Sequence, residues 1–230
     1  MPQNKKGFTL LELLIVIGII AILSVAIIFV LNPAETLRKS RDSQRLADLG
    51  TLKTALGLYL TSTSTPWLGG ASSNTTCKTG SGAGTYASGD KLYYSIPSDT
   101  SDITDTTLDA ETTNLTDNQI ALVNVGLTDG TGWLPVNLDS MTGGSPISNM
   151  PLDPVNALVA PDLVTSVGSS TLAYRYVCNA TTLTFELDAV LESTSFTVDD
   201  DKRKKDGGND ASYYEVGTNL KLLGAGTDDF

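Results

Sequence analysis

The chain has 230 residues, of which 26 are acidic and 15 basic; it has two cysteines and no histidine. Without an imidazole, Ser/His/Asp and Cys/His catalysis and His-ligated zinc or haem are excluded, and two cysteines cannot make a four-thiolate zinc or iron–sulfur site. A net charge of -11 argues against a nucleic-acid surface spread over the whole molecule, and no catalytic residue is assigned.

From Leu13 to Leu31 the sequence reads LLIVIGIIAILSVAIIFVL, nineteen residues without a charge. As a helix at 1.5 Å per residue this run is about 28 Å long, close to the thickness of a bilayer core. It is apolar all round rather than striped, so it reads as a membrane-spanning helix and not as one lying on a membrane surface. A cleaved secretory signal is the rival, since Lys5 and Lys6 precede the run. Against it, the run is longer than a secretory apolar core and leads into Asn32-Pro33 and a charged stretch, with no small-residue cleavage site. Glu12 interrupts the run near its start, where an unpaired carboxylate in lipid costs several kcal/mol.

The stretch KKGFTLLELLIVIGIIAIL closely resembles the class III signal and N-terminal helix of type IV pilins and the related pseudopilins. The resemblance implies that a prepilin peptidase cuts between Gly7 and Phe8, that the new Phe8 amine is methylated, and that the apolar segment stays on the mature protein. It assigns residues 1–7 to a leader and 8–33 to a transmembrane and filament-core helix. It also gives Glu12 the role of pairing with the cationic N-terminus of a neighbouring subunit during assembly; the plainer reading leaves this carboxylate at headgroup level. Asn32-Pro33 predicts a break in the helix, and the resemblance adds that the segment between Gly18 and Pro33 is extensible, beside the alternative of a simple kink at the membrane boundary.

Residues 34–60 continue as an amphipathic helix, with Leu46, Leu49, Leu52, Leu56 and Leu60 at helical spacing. Arg38, Lys39, Arg41 and Arg45 form a basic cluster, read as a solvated or intersubunit face; contact with anionic lipid or directly with DNA is the lesser reading. These four charges outweigh the two leader lysines on the positive-inside rule, so only the resemblance sets the N-terminus inside and the C-terminal domain outside.

Residues 61–230 hold 22 acidic and 8 basic residues and are rich in Ser and Thr, the composition of an exported globular domain. Residues 61–90 read as loop, tied down through Trp67 and Cys77, and Thr116 to Gln119 as a capping box opening a short helix. Leu172 to Cys178 and Leu183 to Leu191 alternate apolar and polar residues around NATT, an antiparallel hairpin, with a third strand in Ser212 to Leu223. The fold class is therefore α+β, a long N-terminal helix laid against a C-terminal antiparallel sheet as in pilins. GWLPVNL and MPLDPVNAL also look like later parts of pilin-type domains, more weakly than the N-terminus does.

Cys77 and Cys178 are a disulfide candidate, since an exported domain favours oxidation; two buried thiols are the alternative. No cofactor is required, with calcium the one candidate ligand: Asp199, Asp201, Asp206 and Asp210 offer hard oxygen donors, and the resemblance adds a calcium site in the C-terminal loops of major pseudopilins. The spacing is not that of an EF-hand, and the four basic residues at 202–205 favour a solvated charged loop instead. Asn74, Asn114 and Asn179 begin N-x-Ser/Thr sequons of little weight in so Thr-rich a chain.

Together these features predict a structural subunit of a type IV pilus, held in the inner membrane by a single span and then packed helix on helix into an extracellular filament for adhesion, motility or DNA uptake. Its partners are like subunits, the peptidase and methyltransferase, and the pilus assembly machinery. A pseudopilin of a type II secretion system is the runner-up, and a membrane-anchored binding or enzymatic ectodomain the third reading.

Overall fold

Thr9 starts the first helix because its hydroxyl caps the first turn, and the Leu- and Ile-rich run carries α1 from Leu10–Leu31, unbroken at Gly18. Asn32 stops it in the left-handed conformation (φ 39°), which Asn tolerates better than most residues. The same Asn32 accepts from the Glu35 N–H and so opens α2 (Pro33–Ser62), with Pro33 in the first turn, where its missing N–H costs nothing. The Thr63 N–H closes α2 on the Tyr59 carbonyl.

The computed structural model describes residues 7–79, 89–97, 104–105, 123–155, 166–167 and 170–223. The capping-box helix expected at Thr116 to Gln119 and the sequon at Asn114 fall outside them. Among the described residues no helix is long and apolar enough to cross a membrane.

Four strands form an antiparallel sheet in the order β1 (Tyr93–Tyr94), β4 (Tyr174–Asn179), β5 (Thr184–Ala189), β6 (Tyr214–Gly217). A separate parallel pair joins β2 (Thr104–Asp105) to β3 (Ser166–Val167). The β4–β5 hairpin turns where Asn179 accepts from the Thr181 and Thr182 N–H groups, both at 2.9 Å, and where Leu183 takes φ 51°. The third expected strand is shorter than Ser212 to Leu223. After Gly217 the pairing ends because the Leu222 and Leu223 N–H groups turn onto the Glu186 carboxylate.

Alternation gives the sheet two buried faces. One carries Tyr174, Tyr176, Phe185, Leu187 and Val216 and packs on Leu49, Leu52, Leu56 and Tyr59 of α2. Leu46 and Leu60, expected on that stripe, are half-buried at its edges. Trp133, Leu134, Val136 and Leu138, from the GWLPVNL stretch, fill the same core, and Trp133 Nε1 donates to the Pro151 carbonyl at 3.0 Å. The other face places Arg175, Glu186, Asp188 and Glu215 beneath Leu92, Tyr94, Ile96, Leu222 and Leu223. The chain is thus α+β, an N-terminal helix followed by a four-stranded antiparallel sheet in a pilin-like arrangement.

Cys77 and Cys178 are joined in a disulfide across 101 residues, pinning the loop after α2 to the end of β4. In that loop the Asn74 side chain accepts from the Leu68 and Gly69 N–H groups, and Leu68 is fully buried. Trp67 is only half-buried, so Leu68 and Asn74 order this loop more than the expected Trp67 does.

Candidate processing and assembly site

Gly7 and Phe8 lie in non-helical backbone just ahead of α1, and Phe8 is 87% exposed. A peptide bond placed there can be drawn into a peptidase cleft without breaking any helical hydrogen bond. Thr9 and Glu12 form a reciprocal capping box. The Glu12 N–H donates to Thr9 Oγ1 at 3.2 Å, and the Thr9 N–H and hydroxyl donate to Glu12 Oε2 at 2.9 and 2.8 Å. The carboxylate is therefore partly satisfied within its own helix, lessening the penalty of holding it in an apolar medium. Both members of the box lie after the Gly7–Phe8 bond, so removal of the leader leaves the box intact and adds a cationic amine one residue ahead of it. The pattern Thr-x-x-Glu at Thr9 and Glu12 is the sequence signal for this cap.

Among the described residues of α1 the large apolar side chains stand open, from 48% exposed at Val16 to 81% at Leu10. A continuous apolar surface of this kind has no stable existence in water and needs lipid or another helix. A groove also runs along α2, between Ala47, Gly50, Thr51, Thr54 and Leu58 of the helix and Ile147 of the head.

The structure divides the basic cluster of α2, expected to be a solvated or intersubunit face. Arg38 and Lys39 are exposed, but Asp42 and Arg45 are fully buried, because they precede Leu49 and Leu52 on the same helical stripe. The Arg45 guanidinium donates to Asp153 (2.6 and 2.9 Å), Asp42 (2.7 Å) and Glu192 (2.8 Å). Asp42 in turn accepts from the Glu192 and Ser193 N–H groups. Burial opposes the charge on Arg45, but the bonds to Asp153 and Glu192 outweigh it and raise its pKa. The Arg41 and Arg45 bonds hold Glu192 down at about 2, against the cost of burial. This hub fastens α2 to the chain after β5 and to the segment around Asp153.

Each acidic residue of the 199–210 loop can be placed. Asp199 is exposed; Asp200 pairs with Lys202 and Lys205; Asp201 pairs with Arg203 and Lys204. Asp206 accepts from the Gly208 and Glu215 N–H groups, and Asp210 from the Ser212 N–H. Among the described residues no three His, Cys, Asp or Glu side chains are grouped to hold a metal ion.

Residues 2–28 match the family model for the prokaryotic N-terminal methylation motif, and their boundary encloses Gly7, Phe8, Thr9 and Glu12. The chain carries the N-methylation motif of type IV pilins and pseudopilins. No curated protein and no solved structure matches the chain. The motif therefore speaks for the helix end just described and for a precursor anchored at a membrane, processed there and destined for a pilin-like assembly.

Proposed function

We propose that this chain is a structural subunit of a type IV pilus, stored as a membrane-anchored prepilin, cleaved between Gly7 and Phe8, methylated on Phe8, and assembled into a surface filament. The observation that carries the reading is the N-methylation motif running directly into a capped helix whose large apolar side chains, among the described residues, stand exposed. The head has its own two-faced core and its own disulfide, so it needs nothing from α1 to fold. What remains for α1 is first lipid and then other copies of itself. Apolar burial between these helices drives assembly, and pairing of Glu12 with the Phe8 amine of a neighbour sets their stagger, since an apolar bundle offers no other register mark. The motif points to a structural subunit rather than an enzyme.

Electron microscopy of cells expressing the chain, with mass spectrometry of sheared fibres, tests the proposal. Surface fibres whose subunit begins with N-methyl-Phe8 are expected. A subunit that retains the leader contradicts it, and a processed subunit in cells without long fibres assigns the chain to a secretion pseudopilus.

A further inference from the structure

We propose that the end of the head nearest α1 is a docking surface for the anionic phospholipid headgroups of the membrane that holds the precursor, a reading that rests on the membrane role of α1 proposed above. The surface joins two segments far apart in sequence. The Ser195 N–H donates to Glu35 in the first turn of α2, which seats a π-helical turn (Ser195–Asp199) directly beyond the end of α1. Phe196 of that turn lies between two ammonium groups, with Lys39 of α2 at 5.8 Å and Lys202 at 5.7 Å from its ring centre. The α2 cluster and the basic run at 202–205 therefore form one patch.

Eight of the thirteen basic residues between 8 and 230 belong to this end: Arg38, Lys39, Arg41 and Arg45 on α2, and the four at 202–205. They balance Glu35, Asp42, Asp153, Glu192 and the four aspartates of 199–206, so the rest of this stretch carries the whole net charge of -13. An acidic head thus presents a neutral, lysine-studded end to the bilayer, and anionic lipid would repel its acidic surfaces. Two exposed apolar side chains accompany the lysines, Leu37 at 60% and Val198 at 70%, the mixture suited to a headgroup boundary.

The distances fit. Lys39 lies six residues past Pro33 at the start of α2, about 9 Å of helix, and side chains on a helix lean toward its N-terminus, here toward α1. Long lysine stems then bring the ammonium groups back to headgroup level. Lys204 and Lys205 are 67% and 64% exposed, so their pairs with Asp201 and Asp200 lie in solvent, where phosphate oxygens can compete for the ammonium groups.

The test uses the full chain in vesicles of phosphatidylcholine alone or with about one-third phosphatidylglycerol, acylated with an amine reagent and mapped by mass spectrometry. Lys39, Lys204 and Lys205 should react at least about threefold more slowly with phosphatidylglycerol present and recover in about 0.5 M salt, where charge interactions are screened within a few ångströms. Lys53 and Lys221, exposed elsewhere on the head, should not change. In the variant Lys204→Glu with Lys205→Glu, protection of Lys39 should weaken while Lys53 stays constant. Equal reactivity in both vesicles overturns the docking surface but leaves the anchoring role of α1 standing. Protection that follows protein density instead of lipid charge also overturns it, assigning the lysines to a neighbouring copy. Extraction of the chain by alkaline carbonate shows that α1 has not inserted, and overturns both readings.

Discussion

Arg45 and Asp153 are joined by two parallel hydrogen bonds, Nε to Oδ2 at 2.6 Å and Nη2 to Oδ1 at 2.9 Å, with neither side chain exposed at all. The bidentate match is strong because both bonds are charge-assisted and the planar fork loses little freedom in making them. Arg45 also neutralises Asp42, so one guanidinium compensates two fully buried carboxylates. Arg45→Met should therefore destabilise the head by about 3–5 kcal/mol, since it strands those carboxylates in the interior. Arg45→Lys should recover only part, an ammonium lacking the fork. Urea unfolding of the three proteins in one detergent gives the comparison, and a loss below about 1 kcal/mol for Arg45→Met contradicts the role of the hub.

The disulfide between Cys77 and Cys178 closes a loop of about a hundred residues. In the chain-entropy account such a closure is worth on the order of 4–5 kcal/mol. Replacing both cysteines by serine should lower the melting temperature of the head by roughly 8–20 °C, at about 2–4 °C per kcal/mol for a domain of this size. Thiol alkylation without reductant should label neither cysteine of the parent protein; labelling of both removes the bond from the account.

Stability should peak in mildly acidic solution. Burial, chiefly, raises the Glu215 carboxyl to about 7, while its unfolded counterpart titrates near 4.5. The folded state therefore holds more protons between these values, and stability is present below about 4.5 and lost as pH rises through 7. Glu192 behaves oppositely: held at about 2 by Arg41 and Arg45, it contributes stability above about 4.5 that is lost as pH falls toward 2. Melting temperatures across this range should show a maximum near pH 5. A curve rising steadily from pH 5 to 8 contradicts the Glu215 assignment, and in Glu215→Gln the decline above pH 5 should flatten.

At the processing site, two steps should separate. Glu12→Ala leaves Gly7 and Phe8 untouched in exposed backbone, so cleavage should proceed at about the parent rate while filament yield falls at least tenfold. Thr9→Ala removes the cap, at a cost of about 1 kcal/mol to the start of α1, and should lower filament yield less. Immunoblots resolving precursor from mature chain, together with counts of sheared fibres, read both effects. Normal filaments from Glu12→Ala cells would falsify the register role.

Calcium is expected to give no saturable heat on titration into the protein. Asp200 and Asp201 are engaged by the basic residues of their own loop, and Asp206 and Asp210 by backbone N–H groups. Saturable binding with a rise in melting temperature reverses that expectation and places the ion among Asp199, Asp201, Asp206 and Asp210.

What could be read from the chain follows the range of the forces involved. The α2 stripe through Leu49, Leu52 and Leu56, the β4–β5 hairpin around Asn179, and the break at Asn32 all arise from interactions a few residues apart, and a sequence displays these directly. Arg45 was misread because its partners Asp153 and Glu192 lie more than a hundred residues away; nothing local distinguishes a buried guanidinium from its exposed neighbours Arg38 and Lys39. The same holds for the second face of the sheet. Glu186 and Asp188 have the alternating polar spacing of a solvated face, and it is the fold-back of Leu222 and Leu223, together with Leu92, Tyr94 and Ile96, that covers this face. The motif at Gly7, Phe8 and Glu12 was legible for the opposite reason, since an enzyme that recognises a signal reads contiguous residues.

Neither core cluster contains a residue of α1. The two halves of the chain are therefore free to diverge at different rates. A substitution in the head must satisfy the packing around Trp133 and Tyr176, whereas one in α1 meets neither core cluster among the described residues. A head of quite different sequence could be joined at Pro33 without disturbing the helix that precedes it, so that one assembly apparatus could display many different surfaces.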